Sequence, residues 1–290
     1  MEAIQNIILQ SIEDFFAYAP LQRSFLALLP AVTACAFLSV WVSIKRMAFL
    51  APAMGGISLG GYAFGLWLFP AAMLGDWRLF AASAGLCLLA SFVISFISRA
   101  PGVKEDGAIG AAAVGILAAA MLIFSSGERD ILHLKPYLFG SPLLVTDADL
   151  ILLLCAAIGT MAFGWLFYRD AFAMDYDPHY ANAVGLPVAF IHHAGTAVTA
   201  IVAVVCIKAI GMLLTTAFLI LPGLFARLTA RRFHTMISLA LVFAIFTVLI
   251  GFGLSLCVDT LPLPAVIVGL QAGITCTAAI LHRMVVWGVD

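Results

Sequence analysis

The chain has 290 residues, of which 64% are hydrophobic and 10% charged, and its formal net charge is −1. A soluble domain carries about 25% charged residues and needs polar groups over its surface, so a water-soluble fold is excluded and lipid is the natural solvent. The near-zero net charge leaves no electrostatic case for a nucleic-acid partner.

Residues 1–22 carry Glu2, Glu13 and Asp14 where a secretory leader would be basic. Ile4, Ile8, Ile12, Phe15 and Phe16 recur at helical spacing, which predicts an amphipathic segment lying in the membrane interface. Residues 23–290 then form a single transmembrane domain. About 20 apolar residues cross the hydrocarbon core as a helix. Nine segments qualify: Ser24–Ile44, Met47–Phe69, Leu79–Ser98, Ala108–Ser125, Leu150–Tyr168, Phe190–Ile207, Gly211–Ala226, Met236–Cys257 and Ala265–Leu281. The sixth and seventh meet at Lys208–Gly211. They read either as two spans with a tight turn or as one broken unit, so counts from eight to ten fit.

Cytoplasmic connections are enriched in Lys and Arg. With nine alternating spans, one side collects Lys45, Arg46, Arg99, Lys104, Arg169, Arg227, Arg231, Arg232 and Arg283. The other side holds Arg23, Arg78, Arg129 and Lys135, with Lys208 at the turn. Nine against four places the N-terminus outside and the C-terminus inside. The one long cytoplasmic connection is 169–189, RDAFAMDYDPHYANAVGLPVA. Asp177-Pro178 is a helix start, so the stretch reads either as a short surface helix or as an ordinary loop.

The second span is rich in helix breakers. Pro52 is followed by Gly55, Gly56, Gly60, Gly61 and Gly65. Such a face either lets helices approach closely or lines a substrate cavity. Lys208 is a charge at membrane depth, either functional or snorkelling from a helix end. His192 and His193 could receive a metal, or sit at the lipid interface. Asp259 reads as a helix-end residue. The cysteines Cys35, Cys87, Cys155, Cys206, Cys257 and Cys276 form no CxxC pair and read as apolar packing. The sequence contains no phosphate loop, no Gly-x-Ser-x-Gly elbow and no His-Glu-x-x-His motif, and nothing in it marks an enzyme.

Four stretches in order carry a family resemblance: Lys104–Gly110 (KEDGAIG), Tyr137–Ser141 (YLFGS), Asp175–Leu186 (DYDPHYANAVGL) and Ile210–Arg227 (IGMLLTTAFLILPGLFAR). Together they resemble the zinc/manganese/iron permeases of ABC importers, the ABC-3 family, over roughly Phe25–Leu281. The resemblance implies an all-α permease of the type II importer kind in the bacterial inner membrane. It implies a second permease subunit, identical or different, cytoplasmic ATPases that bind the ATP, and an extracytoplasmic solute-binding protein. This chain would bind no cofactor, and the metal ion would be its cargo. Asp175, Asp177, Pro178, Tyr180, Ala181 and Gly185 would shape a coupling helix against the ATPase. Gly211, Pro222 and Gly223 would shape the short seventh span.

Family members carry Asp, and His four residues later, in the second span. Aligned from Lys45-Arg46-Met47, those positions are Pro52 and Gly56 here. Transition metals prefer imidazole, carboxylate or thiolate, so Met47, Met54, Ser58 and Cys35 are poorer substitutes. The expected pathway residues are Pro52, Met54, Gly56, Ser58 and Lys208, with no metal ligand assigned. The leading expectation is a permease for a divalent transition-metal ion (zinc, manganese or iron). Alternatives are a chelated metal or small organic solute on the same fold, or a non-transporting scaffold or sensor.

Overall fold

The computed structural model describes residues 18–69, 76–97, 105–125, 145–176, 185, 187–230, 232–257 and 262–287. They form nine helices: α1 (Ala19–Ile44), α2 (Leu50–Leu68), α3 (Trp77–Ile97), α4 (Glu105–Ser125), α5 (Asp147–Tyr176), α6 (Val188–Ile210), α7 (Met212–Thr229), α8 (Phe233–Cys257) and α9 (Leu263–Trp287). Each of the nine apolar segments becomes one helix, because lipid cannot hydrogen-bond a peptide group and a helix satisfies its own backbone. No strand occurs among the described residues.

Eight of the helices are long and apolar enough to cross a bilayer. The other is α2, whose five glycines dilute its apolarity. It does not need lipid-compatible side chains all round, since 14 of its 19 residues are buried. Residues 1–17 of the expected interfacial segment lie outside the described residues, and residues 19–22 already belong to α1.

The core is built from α1, α2 and α6. Leu28, Val32, Cys35 and Leu38 of α1, Met54 and Ile57 of α2, and Ala203, Cys206 and Ile207 of α6 are at most 1% exposed. The outer helices show apolar side chains to the surroundings, as at Val114 and Leu122 on α4 and Ile280 and Leu281 on α9. In water these would be a liability; in lipid they are the expected surface.

Side-chain neighbours fix the helix directions. Cys35 meets Cys206 and Trp41 meets Gly195, so α6 runs antiparallel to α1. Phe25 meets Phe252, while Phe37 and Phe233 lie together near the other end, so α8 is also antiparallel to α1. Arg23 meets Asp147 and Trp41 meets Phe163, so α5 runs parallel to α1. Gly223 packs on Ser39 and Arg227 donates to the Ser43 carbonyl at 2.8 Å, so α7 is parallel to α1 as well. Phe80 lies by Lys208 and Phe92 by His193, which sets α3 against α6. Ser58 with Ser83 and Met54 with Cys87 set α2 against α3. Thr247 and Gln271 bond α8 to α9, and Gly251 packs on Ile267. The result is an up-and-down order in which Lys45, Arg46, Arg227, the end of α5 and the start of α6 share one end.

The choice left open at Lys208–Gly211 resolves to two helices. Because α6 is antiparallel and α7 parallel to α1, the chain reverses at Gly211 alone. Its φ is +89°, a conformation that suits glycine. Its N–H donates to the Ile207 carbonyl at 3.0 Å, and its own carbonyl accepts the Thr215 hydroxyl at 2.8 Å.

One boundary differs from expectation. The fifth apolar run ends at Tyr168, but α5 continues unbroken to Tyr176. At 1.5 Å per residue its 30 residues span about 45 Å, longer than a hydrocarbon core of about 30 Å. The first third of the 169–189 connection is therefore an extension of α5.

The backbones of α7 and α1 approach closely. A Cβ on Gly223 would run into the backbone carbonyl of Ser39, which cannot move aside like a side-chain tip. Gly223→Ala should therefore lower the thermal midpoint of the detergent-purified protein, at a cost of about 1–3 kcal/mol for overpacking. Gly56→Ala, where no neighbouring helix lies within 4 Å of the new Cβ, should not lower the midpoint and should raise it slightly, since alanine is the better helix former.

Candidate functional site

Helical geometry sorts the second-span candidates before any neighbour is considered. At 3.6 residues per turn, positions four apart share a face and positions two apart lie nearly opposite. Pro52 and Gly56 thus share one face of α2, and Met54 and Ser58 share the other.

The Met54–Ser58 face is closed. Met54 is fully buried, and its carbonyl accepts the Cys87 thiol at 3.8 Å. The Ser58 hydroxyl donates to the Gly55 carbonyl at 3.0 Å, and the Ser58 carbonyl accepts the Ser83 hydroxyl at 3.1 Å. These two residues hold α2 to α3. A little further round, a Cβ on Gly61 would sit 2.5 Å from the Ser83 Cα, so glycine is what permits the approach.

The Pro52–Gly56 face is different. Pro52 is half-buried, and nothing lies within 4 Å of where a Gly56 Cβ would stand. A methyl group at Gly56 would meet no neighbouring helix, although the residue itself is buried. Between the two faces, Gly55 receives the Met212 side chain, which brings the first residue of α7 onto α2. The turn at Gly211 and the open face of α2 are thereby neighbours.

Lys208 is paired. Its ammonium lies 2.8 Å from an Asp149 carboxylate oxygen and 5.0 Å from the Phe80 ring centroid. Both side chains are mostly buried, at 28% and 12% exposure. Asp149 is held in turn by Thr146, whose hydroxyl and N–H donate to its other oxygen at 2.7 and 3.2 Å. The Asp149 N–H donates back to the Thr146 hydroxyl at 3.3 Å. That reciprocal pattern is a capping box at the start of α5. The carboxylate faces the positive end of α5 and the ammonium the negative end of α6, so the helix dipoles favour both charges. The pair clamps α5, α6 and α3 together three residues before the Gly211 reversal.

Asp149 is the functional candidate that the sequence reading missed. The signal was present: Thr146-x-x-Asp149 before an apolar run is a helix-start signature.

The remaining candidates scatter. His193 stacks on Phe92 with ring centroids 5.7 Å apart, and the His192 ring is 6.2 Å from it, at the end that carries Lys45 and Arg46. Met47 is buried, and Cys35 faces Cys206 with 3.6 Å between sulfurs, within the core. Pro222 and Gly223 are buried on α7, Gly223 against α1. Asp175 is the penultimate residue of α5, and Gly185 is exposed with φ +82°. Asp177, Pro178, Tyr180, Ala181 and Asp259 lie outside the described residues. Among the described residues, no group of three or more His, Cys, Asp or Glu is placed to hold a metal ion.

Comparison with known proteins bears on this arrangement. The profile of the ABC 3 transport family matches residues 17–282. The chelated iron transport system membrane protein YfeD of Yersinia pestis is 28% identical over 263 residues, covering 91% of this chain and 86% of the relative. The manganese transport system membrane protein MntC of Halalkalibacterium halodurans is 26% identical over 247 residues, covering 85% and 82%. The structure of PsaBC from Streptococcus pneumoniae in complex with Fab superposes with a TM-score of 0.78 at 22% identity, covering 93% of this chain and 95% of that one. At that identity the superposition speaks for the fold. The profile match spans nearly the whole nine-helix bundle, and the chain is a multi-pass membrane protein of the ABC 3 transport family.

Proposed function

We propose that this chain is the permease subunit of an ATP-driven importer in the bacterial inner membrane, and that its cargo is a divalent transition-metal ion. The observation that carries the reading is the similarity, over more than four-fifths of the chain, to membrane proteins named for manganese and chelated iron transport. Manganese and iron are therefore favoured over zinc. The chain supplies the passage. A second permease subunit completes it, separate ATPase chains hydrolyse ATP, and a solute-binding protein delivers cargo on the outer side.

In this mechanism the face of α2 that carries Pro52 and Gly56 lines the passage, next to the start of α7. The coupling segment takes in Asp175 at the end of α5, then Asp177, Pro178, Tyr180, Ala181 and Gly185. Asp175, at the end of α5, lies at the Lys45 end of the bundle, where the excess of basic residues puts the cytoplasm. Movement of the ATPases at that segment reaches the bundle through α5 and α6, and the cargo crosses by alternating access.

The vacant space at Gly56 favours one refinement. With no imidazole or carboxylate on that face, the pathway offers a metal little direct coordination. A metal that keeps part of its own ligand shell, water or a chelator, fits such a face better than a stripped ion. The first test is ATP-dependent uptake in proteoliposomes holding this chain with its ATPase and binding protein, with element analysis of the lumen. Accumulation of manganese or iron is the expected result. ATP hydrolysis stimulated by a metal-free solute, with no metal accumulated, would sink the metal reading.

Two substitutions probe the pathway. Installing both side chains, Pro52→Asp with Gly56→His, should lower the KM for free manganese, because they supply the carboxylate and imidazole that this face lacks. An unchanged KM would place the cargo elsewhere. Lys208→Met should reduce uptake by leaving the Asp149 carboxylate buried without its partner, at a cost of about 1–3 kcal/mol. The double variant Lys208→Met with Asp149→Asn should recover much of that loss in a double-mutant cycle. Additive losses would show the two residues acting independently.

A further inference from the structure

Cys35 of α1 and Cys206 of α6 are a pair of reactive side chains that the passage does not use. Their sulfurs stand 3.6 Å apart, with the Cys35 thiol donating to the Cys206 sulfur, and both residues are fully buried. Ala31, one turn before Cys35, and Ala203, just under one turn before Cys206, are fully buried as well. Such small side chains let α1 and α6 come close enough for the two thiols to meet. The other described cysteines stand apart. Cys87 gives its thiol to the Met54 carbonyl, and Cys155 and Cys276 are exposed on α5 and α9.

The spacing of the sulfurs decides what the pair can do. A disulfide holds its sulfurs about 2.0 Å apart, so these two would have to close by about 1.6 Å. Two thiolates that share one tetrahedral ion, each at about 2.3 Å from it, stand about 3.8 Å apart. The pair is already at that spacing. Thiolate is a soft ligand, so it selects thiophilic ions over manganese, which prefers oxygen. On binding, one divalent ion and two thiols give a dithiolate complex and two released protons, with nothing oxidised or reduced. Two thiolates cancel the divalent charge. A neutral complex is the form that the apolar surroundings of Val32, Leu38 and Ile207 tolerate. The ion's other positions are left to small ligands such as water.

We propose that Cys35 and Cys206 form a trap for a divalent thiophilic ion of the zinc and cadmium kind, and that the bound ion ties α6 to α1. Cys206 lies five residues, about 8 Å along α6, before Gly211, and that turn adjoins the open face of α2. An ion in the passage is therefore near the pair. Both sulfurs are buried, so entry waits on movement between α1 and α6, and capture is slow relative to passage. Helix α1 is anchored on α7 through Ser39 and Gly223, whereas α6 carries movement in the mechanism proposed above. A bridged pair holds the moving helix to the anchored one, so a soft ion stops the importer while manganese passes. That effect on uptake rests on the permease reading; the site itself does not.

The test titrates cadmium into the detergent-purified full chain, kept reduced with a phosphine, and follows the ultraviolet thiolate-to-cadmium absorption band to equilibrium. The wild type should bind one ion through thiolate. Cys35→Ser and Cys206→Ser should each weaken binding at least about tenfold, since even the outer partners of a metal ligand are worth about 10–100-fold. A variant with Cys87, Cys155, Cys257 and Cys276 all replaced by alanine should keep the band. That variant locates the site even if a pair variant fails to fold. In proteoliposomes, cadmium should block manganese uptake by the wild type, and Cys206→Ser should need at least about tenfold more. No thiolate band in the wild type, a band lost with the other four cysteines, or an undiminished band in both pair variants would overturn the site. Cadmium held by the pair while manganese uptake continues unchanged would overturn the trap. An intact band in a chain that transports no manganese under any condition would support the site and count against the permease reading instead.

Discussion

Every peptide group that this chain places in the bilayer must find its hydrogen bond within the protein, because the hydrocarbon offers none. That constraint explains why the described structure is helical and why connections are short wherever they are described. It also explains why the departures from regular helix are so closely satisfied. Gly211 breaks the helix between α6 and α7, yet both its N–H and its carbonyl are bonded at once, to Ile207 and Thr215. Ser and Thr side chains along the helices mostly return their hydrogen to a carbonyl three or four residues back, as at Thr199 to Gly195 and Ser39 to Ala36. Other polar side chains bond across to a neighbouring helix, as Ser83 does to Ser58 and Gln271 to Thr247.

Once the backbone is satisfied, helices in lipid gain no further drive from hiding apolar groups, since lipid tails are as apolar as leucine. They associate by close fit. Glycine is used here for that purpose in two distinct ways. At Gly61 and Gly223 its missing side chain is filled by a neighbouring backbone, so the residue is structural. At Gly56 the missing side chain is filled by nothing, so the residue leaves room. A glycine-rich helix read as one unit conceals this division. The same helix is a packing element on one side and a candidate wall of the passage on the other.

Much of this was legible in the sequence. Long apolar runs mark the hydrocarbon thickness, so nine segments were found where nine helices stand. The alternation derived from Lys and Arg placement agrees with the directions fixed by pairs such as Cys35 with Cys206 and Gly223 with Ser39. The end of α5 was misplaced because hydropathy reports where lipid stops, and a helix can run on into water through Arg169 and Asp170. Grouping Pro52, Met54, Gly56 and Ser58 as one pathway set overlooked the turn of the helix, which separates them onto opposed faces. Which of those faces meets α3 depends on tertiary packing and could not be read from the run itself. Asp149 does not stand out in the sequence, because the charge at Lys208 shows without the carboxylate that neutralises it, 59 positions away. An intramembrane cation implies a partner, and the Thr146-x-x-Asp149 box is a helix-start signature that offers a carboxylate.

The one-residue reversal at Gly211 has a mechanical consequence. A connector of several residues would absorb relative motion between two helices like a slack rope. Gly211 has no slack: its two torsions are the whole joint. The 23 residues of α6 form a rod of about 35 Å running from the α5–α6 connection to that joint. The far end of the rod is pinned by Lys208 to Asp149. If the near end is pushed, the rod can pivot but cannot slide. Its tilt then passes through a single glycine into α7, whose first side chain rests on Gly55 of α2. The bundle thereby contains a lever with a defined fulcrum, and the fulcrum is on the opposite side of the membrane from the load.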